Sequence, residues 1–111
     1  MNTYLFAGAS SAIAQKTAEL LQKKGHHVIG LSRKPSSFAY DEFYQVDNYT
    51  SGLFPSIDKA LTGLVYFPGT INLKPFNRIK PEEFMDDFSI NALGAVAFTQ
   101  CYLSNLTKVS N

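Results

Sequence analysis

Between residues 3 and 32 the chain runs through an apolar segment, a glycine, an amphipathic segment, a second glycine and another apolar segment. Few folds accept that order. Thr3-Tyr4-Leu5-Phe6-Ala7 is short, apolar and bounded by Gly8, which reads as a buried strand. From Ser11 to Lys24, Ile13, Thr17, Leu20 and Leu21 recur on one face, with Ala12, Ala14 and Ala18 as small contact residues, so this segment predicts an amphipathic helix. Lys23-Lys24 followed by Gly25 is the chemistry expected of a helix C-terminus. His27–Ser32 predicts a second buried strand and Phe43–Val46 a short third one. One or two helical turns are predicted over Ser56–Leu61 after Pro55, then a fourth strand over Gly63–Phe67 closed by Pro68-Gly69. A long helix is predicted from Pro81 to about Leu103, with Glu82, Glu83, Asp86 and Asp87 in its early turns, where the helix dipole favours acids. Alternation of this kind with short connections implies an α/β protein built on a parallel sheet with right-handed crossovers.

The chain has 111 residues, which predicts one domain over 1–111, and 45% of them are hydrophobic, enough for a core. The formal net charge is +1 and no long basic run occurs, so no nucleic-acid partner is expected. No apolar run is long enough to span a bilayer, and Met1-Asn2-Thr3 leads straight into the first strand without a leader-like segment, so neither a membrane nor secretion is expected. The single cysteine, Cys101, cannot form an internal disulfide, which favours a reducing, cytoplasmic setting. The sequons Asn48-Tyr49-Thr50 and Asn105-Leu106-Thr107 carry little weight in such a chain. His26-His27, Cys101 and the acidic pairs Glu82/Asp86 and Glu83/Asp87 lack partners at metal-ligand spacing, so no metal is assigned.

The segment Ala7-Gly8-Ala9-Ser10-Ser11-Ala12-Ile13-Ala14-Gln15 joins the first predicted strand to the first predicted helix. In a doubly wound sheet this is where backbone N–H groups at a helix N-terminus meet a phosphate. Gly8 supplies the tight turn, and small residues at 12 and 14 allow close approach. A glycine that merely turns the chain is the alternative for Gly8 alone. The second strand ends in Leu31-Ser32-Arg33-Lys34. NAD-binding folds place a carboxylate there for the ribose 2′-hydroxyl. Here a guanidinium, an ammonium and a hydroxyl stand in its place, which favours NADP over NAD. A solvated basic turn is the alternative.

The turn resembles the T-G-x-x-x-G-x-G motif of the short-chain dehydrogenase/reductase family, with Gly8 at the first glycine and Ala12 and Ala14 at the second and third. Phe67-Pro68-Gly69 stands where that family shows N-A-G, with Gly69 retained. The resemblance implies an incomplete Rossmann-like, doubly wound parallel sheet of about four strands and three helices. It implies cofactor contacts at Gly8, Ser10, Ser11, Ala12, Ile13, Ser32, Arg33 and Gly69. Asp47, after the third strand, would receive the adenine amino group. A turn residue or helix cap is its alternative.

Asn91, in Ser89-Ile90-Asn91-Ala92-Leu93-Gly94, resembles the family's catalytic helix asparagine, which helps hold a proton-relay water. A satisfied amide or a helix irregularity is its alternative. The implied reaction is hydride transfer between NADP(H) and a small carbonyl or alcohol substrate, and the helix carrying Asn91 would contact a second copy of the chain. The family's Y-x-x-x-K pair is absent from these residues. The sequence therefore predicts an N-terminal, NADP-binding portion ending before the catalytic segment. A non-catalytic binding module and an inactive fragment are the alternatives.

Overall fold

A computed structural model describes residues 1–50, 53–69 and 76–107. It contains strand β1 (Thr3–Ala7), helix α1 (Ala12–Lys23), strands β2 (His27–Ser32), β3 (Glu42–Gln45) and β4 (Gly63–Tyr66), a short 3-10 turn (Phe76–Arg78), helix α2 (Pro81–Phe88), a π-helical turn (Ser89–Leu93) and helix α3 (Gly94–Thr107). All three strand pairings are parallel and the order across the sheet is β3-β2-β1-β4. The chain steps outward from β1 through β2 to β3, then returns to add β4 on the other side of β1. That reversal is the topological switch point of a doubly wound sheet, and it falls between β1 and β4.

Side-chain alternation along the strands feeds two apolar layers. On one face Phe6 and Val28 meet Ala14 and Ala18 of α1, with Phe38 and Tyr40 packed beside them. On the other, Leu5, Ala7, Ile29 and Leu31 meet Phe98 and Tyr102 of α3 together with Tyr49, Ile57 and Leu61 from the β3–β4 connection. At about 25 cal/mol for each Å² of apolar surface removed from water, these residues supply the main drive for folding.

Two expectations are corrected. The buried stripe of α1 is Ala14 and Ala18, with Leu21 packed against them, whereas Ile13 and Leu20 are 72% and 51% exposed. Positions 14, 18 and 21 share one face at helical spacing, and the two alanines let the helix lie close on the sheet. No helix forms over 56–61. That stretch is held irregular by Asn105 of α3, whose buried side-chain amide donates to the carbonyls of Ile57 (2.6 Å) and Lys59 (2.8 Å). Leu61 N–H donates in return to the Asn105 carbonyl at 3.1 Å. The loop's backbone groups are thus satisfied by a neighbouring helix instead of by a turn of their own.

Candidate functional site

The sheet converges on the β1–α1 turn at its C-terminal edge. Gly8 adopts φ 75, the left-handed region that glycine enters without steric cost. A Cβ at this position would lie 2.8 Å from both the nitrogen and Cδ of Pro68, so the β4 exit and the β1 exit touch here. Ser11 is the N-cap of α1, and its hydroxyl accepts from Ala14 N–H at 3.1 Å. This cap leaves the earlier N–H groups of Ala12 and Ile13 at the open end of the helix, where the dipole is positive.

A cavity of about 280 Å³ opens over this edge. Gly8, Ser10, Ser11, Ser32, Arg33 and Gly69, all predicted as site residues, line it together. Lys34, Tyr49, Phe67, Pro68 and Ile90 complete the wall. Among the described residues its polar side chains are three serine hydroxyls, a phenol, a guanidinium and an ammonium, and none is a carboxylate. Ser32 is buried, and its hydroxyl donates to the Ser10 hydroxyl at 3.0 Å while accepting from Lys34 N–H at 3.2 Å. The β1–α1 turn and the end of β2 are thereby tied into one polar patch. Tyr40, from the β2–β3 connection, donates to the Ala9 carbonyl at 2.6 Å and braces the turn from below. Burial pushes the Tyr40 phenol up to about 12, which keeps it protonated as a donor.

The remaining predicted residues lie outside this lining. Ala12 and Ile13 are exposed, so any ligand contact from them runs through backbone N–H groups. Asp47 is exposed because Val46 takes the buried position at the end of the strand and turns its neighbour outward. Asn91 stands in the π-helical turn, and its Oδ1 lies 3.3 Å from where a Gly69 Cβ would be, beside the cavity wall. A π-turn widens the helix by one residue and is frequent at functional sites.

Tyr49 is the polar lining residue that the sequence reading missed, along with the apolar Phe67, Pro68 and Ile90. It sits two positions beyond Asp47, inside a polar Asn48-Tyr49-Thr50 stretch. An Asx turn, with Thr50 N–H donating to Asn48 Oδ1 at 3.0 Å, bends the chain there. A large aromatic in an otherwise polar loop was the available signal.

Among the described residues no group of three or more His, Cys, Asp or Glu side chains stands close enough to hold a metal. Among them, too, no helix is long and apolar enough to cross a membrane. Cys101 is at the surface of α3, outside this cavity, and partial desolvation pushes its thiol up, away from the reactive thiolate.

A parallel sheet in the order 3-2-1-4, with a glycine turn and a helix N-terminus at its switch point, defines a partial Rossmann-like α/β fold. The comparisons with solved structures place the same fold in short-chain dehydrogenases. The aldohexose dehydrogenase of Thermoplasma acidophilum, in ligand-free form, superposes with a TM-score of 0.85 at 17% identity over 99% of this chain and 46% of its own. A short-chain dehydrogenase of Leptospira borgpetersenii with bound NAD+ gives 0.84 at 22% identity, over 96% of this chain and 46% of its own. A short-chain dehydrogenase family protein from Francisella tularensis gives 0.79 at 21% identity, over 95% and 46%. The chain thus has the fold of the Rossmann portion of short-chain dehydrogenases and spans about half the length of these structures, 46% in each case. No protein-family model and no curated protein matches the sequence.

Proposed function

We propose that this chain is the NADP-binding portion of a short-chain dehydrogenase/reductase. The observation that carries the reading is the donor-lined cavity at the switch point, with Arg33 and Lys34 at the end of β2 and no carboxylate among its described lining residues. Such a donor set fits a phosphorylated ribose and disfavours the bare 2′-hydroxyl that an acidic residue would hold. The cavity has room for part of a nucleotide.

In this reading Gly8 and the N–H groups of Ser10, Ser11, Ala12 and Ile13 hold the diphosphate. The Ser32 hydroxyl and the Arg33 guanidinium hold the 2′-phosphate. Gly69 lets the backbone run close to the nicotinamide ribose, and Asp47 meets the adenine at the rim. Bound there, a nicotinamide dinucleotide would give a hydride to a carbonyl substrate in its reduced form or take one from an alcohol in its oxidised form. Asn91 serves as a positioning residue for proton transfer on the neighbouring wall. A cytoplasmic setting and a contact between copies through the helix bearing Asn91 complete the proposal.

Calorimetric titration of NADPH against wild type and Arg33→Ala tests it. Loss of a charge-assisted phosphate contact is expected to weaken NADPH about tenfold or more. Unchanged affinity would remove the 2′-phosphate assignment. A binding module without chemistry of its own is the second reading. NADPH binding by a chain that supports no NADPH oxidation with any of a panel of aldehydes and ketones, even when the rest of the fold is present, would decide for it.

A further inference from the structure

The loop after β3 reaches the cavity through Tyr49. Tyr49 is 5% exposed, its ring meets Tyr66 edge-on with centroids 5.7 Å apart, and it lines the cavity together with Gly8 and Arg33. Gly8 N–H donates to the phenol oxygen at 3.2 Å. A phenol carries one proton and accepts through its lone pairs, so accepting from Gly8 does not use that proton, which can be donated to an acceptor in the cavity. The charged side chains among the described lining residues are Arg33 and Lys34, both cations, which draw an anionic acceptor to the same cavity. Burial raises the pKa of the phenol, while the backbone N–H groups of Gly8 and Arg33, the Arg33 charge and the Ser32 hydroxyl pull the other way with less effect. The hydroxyl therefore holds its proton at neutral pH and can serve as a donor.

We propose that Tyr49 is a cofactor-specificity residue that donates its hydroxyl proton to the phosphate on the adenosine ribose. This rests on the dinucleotide reading above and adds a residue to it. Arg33 and Ser32 approach the phosphate from the end of β2, and Tyr49 approaches it from the loop after β3. The phosphate is clasped between two connections of the sheet. The ring edge fixes the hydroxyl against Tyr66, so little side-chain freedom is lost on binding.

The test compares NADPH and NADH binding by wild type, Tyr49→Phe and Asp47→Asn. Tyr49→Phe keeps the ring and removes only the hydroxyl. It is expected to weaken NADPH roughly tenfold, the scale of a hydrogen bond to a charged acceptor, and to leave NADH within about twofold. Asp47→Asn is expected to weaken both alike, because adenine is common to both. Retained NADH binding shows that the Phe variant is folded. Equal loss for both dinucleotides, or no loss for either, overturns the proposal.

A second measurement leaves the hydroxyl in place. In protein labelled with 3-fluorotyrosine, adenosine 2′-monophosphate is expected to shift the Tyr49 resonance and adenosine is not, and the absence of that difference also overturns it. A wild type that binds neither dinucleotide removes the site itself and this residue's role with it. A wild type that binds NADPH through Arg33 while Tyr49→Phe matches it removes Tyr49 alone.

Discussion

The hydroxyl of Tyr66, the last residue of β4, donates a 2.5 Å hydrogen bond to the carbonyl of Ile90 in the π-helical turn. This bond joins the central sheet to the irregular part of the long helix and sets the position of Ile90 and Asn91 beside the cavity. Burial pushes the Tyr66 phenol up to about 12, so it remains a donor across the neutral range. Gly94 makes the approach feasible, since a Cβ there would run into the Tyr66 hydroxyl and lie 3.1 Å from Tyr49 Cβ.

Gly94→Ala is therefore expected to destabilise the protein, although alanine is the better helix former by about 1 kcal/mol. Overpacking against Tyr66 and Tyr49 outweighs that gain, with a net cost of roughly 1–2 kcal/mol. Urea unfolding measures it. In a Tyr66→Phe background the cost is expected to shrink, because the clashing hydroxyl is gone. Equal costs in both backgrounds would show that the two residues are not coupled.

Gly8→Ala is expected to be worse. The substitution forces a side chain into the left-handed region and against the Pro68 ring, for roughly 2–4 kcal/mol in total. Thermal melting reads the stability loss. NADPH titration on any folded fraction is expected to show loss of binding, since the turn that presents the α1 N-terminus has moved.

Asn105→Ala removes an amide that satisfies two backbone carbonyls of the β3–β4 connection. Leaving a buried carbonyl unpaired costs about 1–3 kcal/mol, and the partly buried Lys59 carbonyl costs less because water can reach it, so a loss of roughly 2–4 kcal/mol is expected in denaturant unfolding. Hydrogen exchange at Leu61 is expected to accelerate more than at the centre of β1. Uniform acceleration would mean that the loop does not open separately.

Glu42 gives the acid limb of stability. Lys59 and then His27, whose Nε2 lies 2.7 Å from Oε2, hold its carboxyl down to about 2 from an ordinary 4.5, with the Tyr44 hydroxyl adding to the same side and burial opposing them. The folded value is the lower one, so the contribution is fully present above about 4.5 and is lost as pH falls toward 2. The stability difference between wild type and Glu42→Gln is expected to be largest near neutral pH and to close over that window. A difference that stays constant down to pH 2, the folded-state value, would remove Glu42 from the acid response.

Much of the scaffold was legible because it rests on local rules. The β1 strand, the end of α1 before Gly25 and the second strand each follow from a residue pattern within a few positions. The polar half of the cavity was legible for the same reason, since the Gly8 turn and the Ser32-Arg33-Lys34 corner are both strand ends. The irregular segment at 56–61 was not, because its backbone is satisfied by Asn105, nearly fifty positions away in the sequence. Nor was the solvent exposure of Ile13, because apolar periodicity marks a face without saying which of its edges meets the sheet.

The turn that most constrained the fold illustrates the division. Sequence alone determined that a strand, a glycine turn and a helix follow one another, because φ at Gly8 and the helical periodicity after it are decided by neighbours along the chain. Tertiary structure decided what faces that turn. Tyr49 and Pro68 arrive from two other connections, and their places depend on strand order and on the packing of Tyr66 against Gly94. Strand pairing and side-chain packing act between residues far apart in sequence, so no local pattern encodes them, and they complete the donor wall of the cavity.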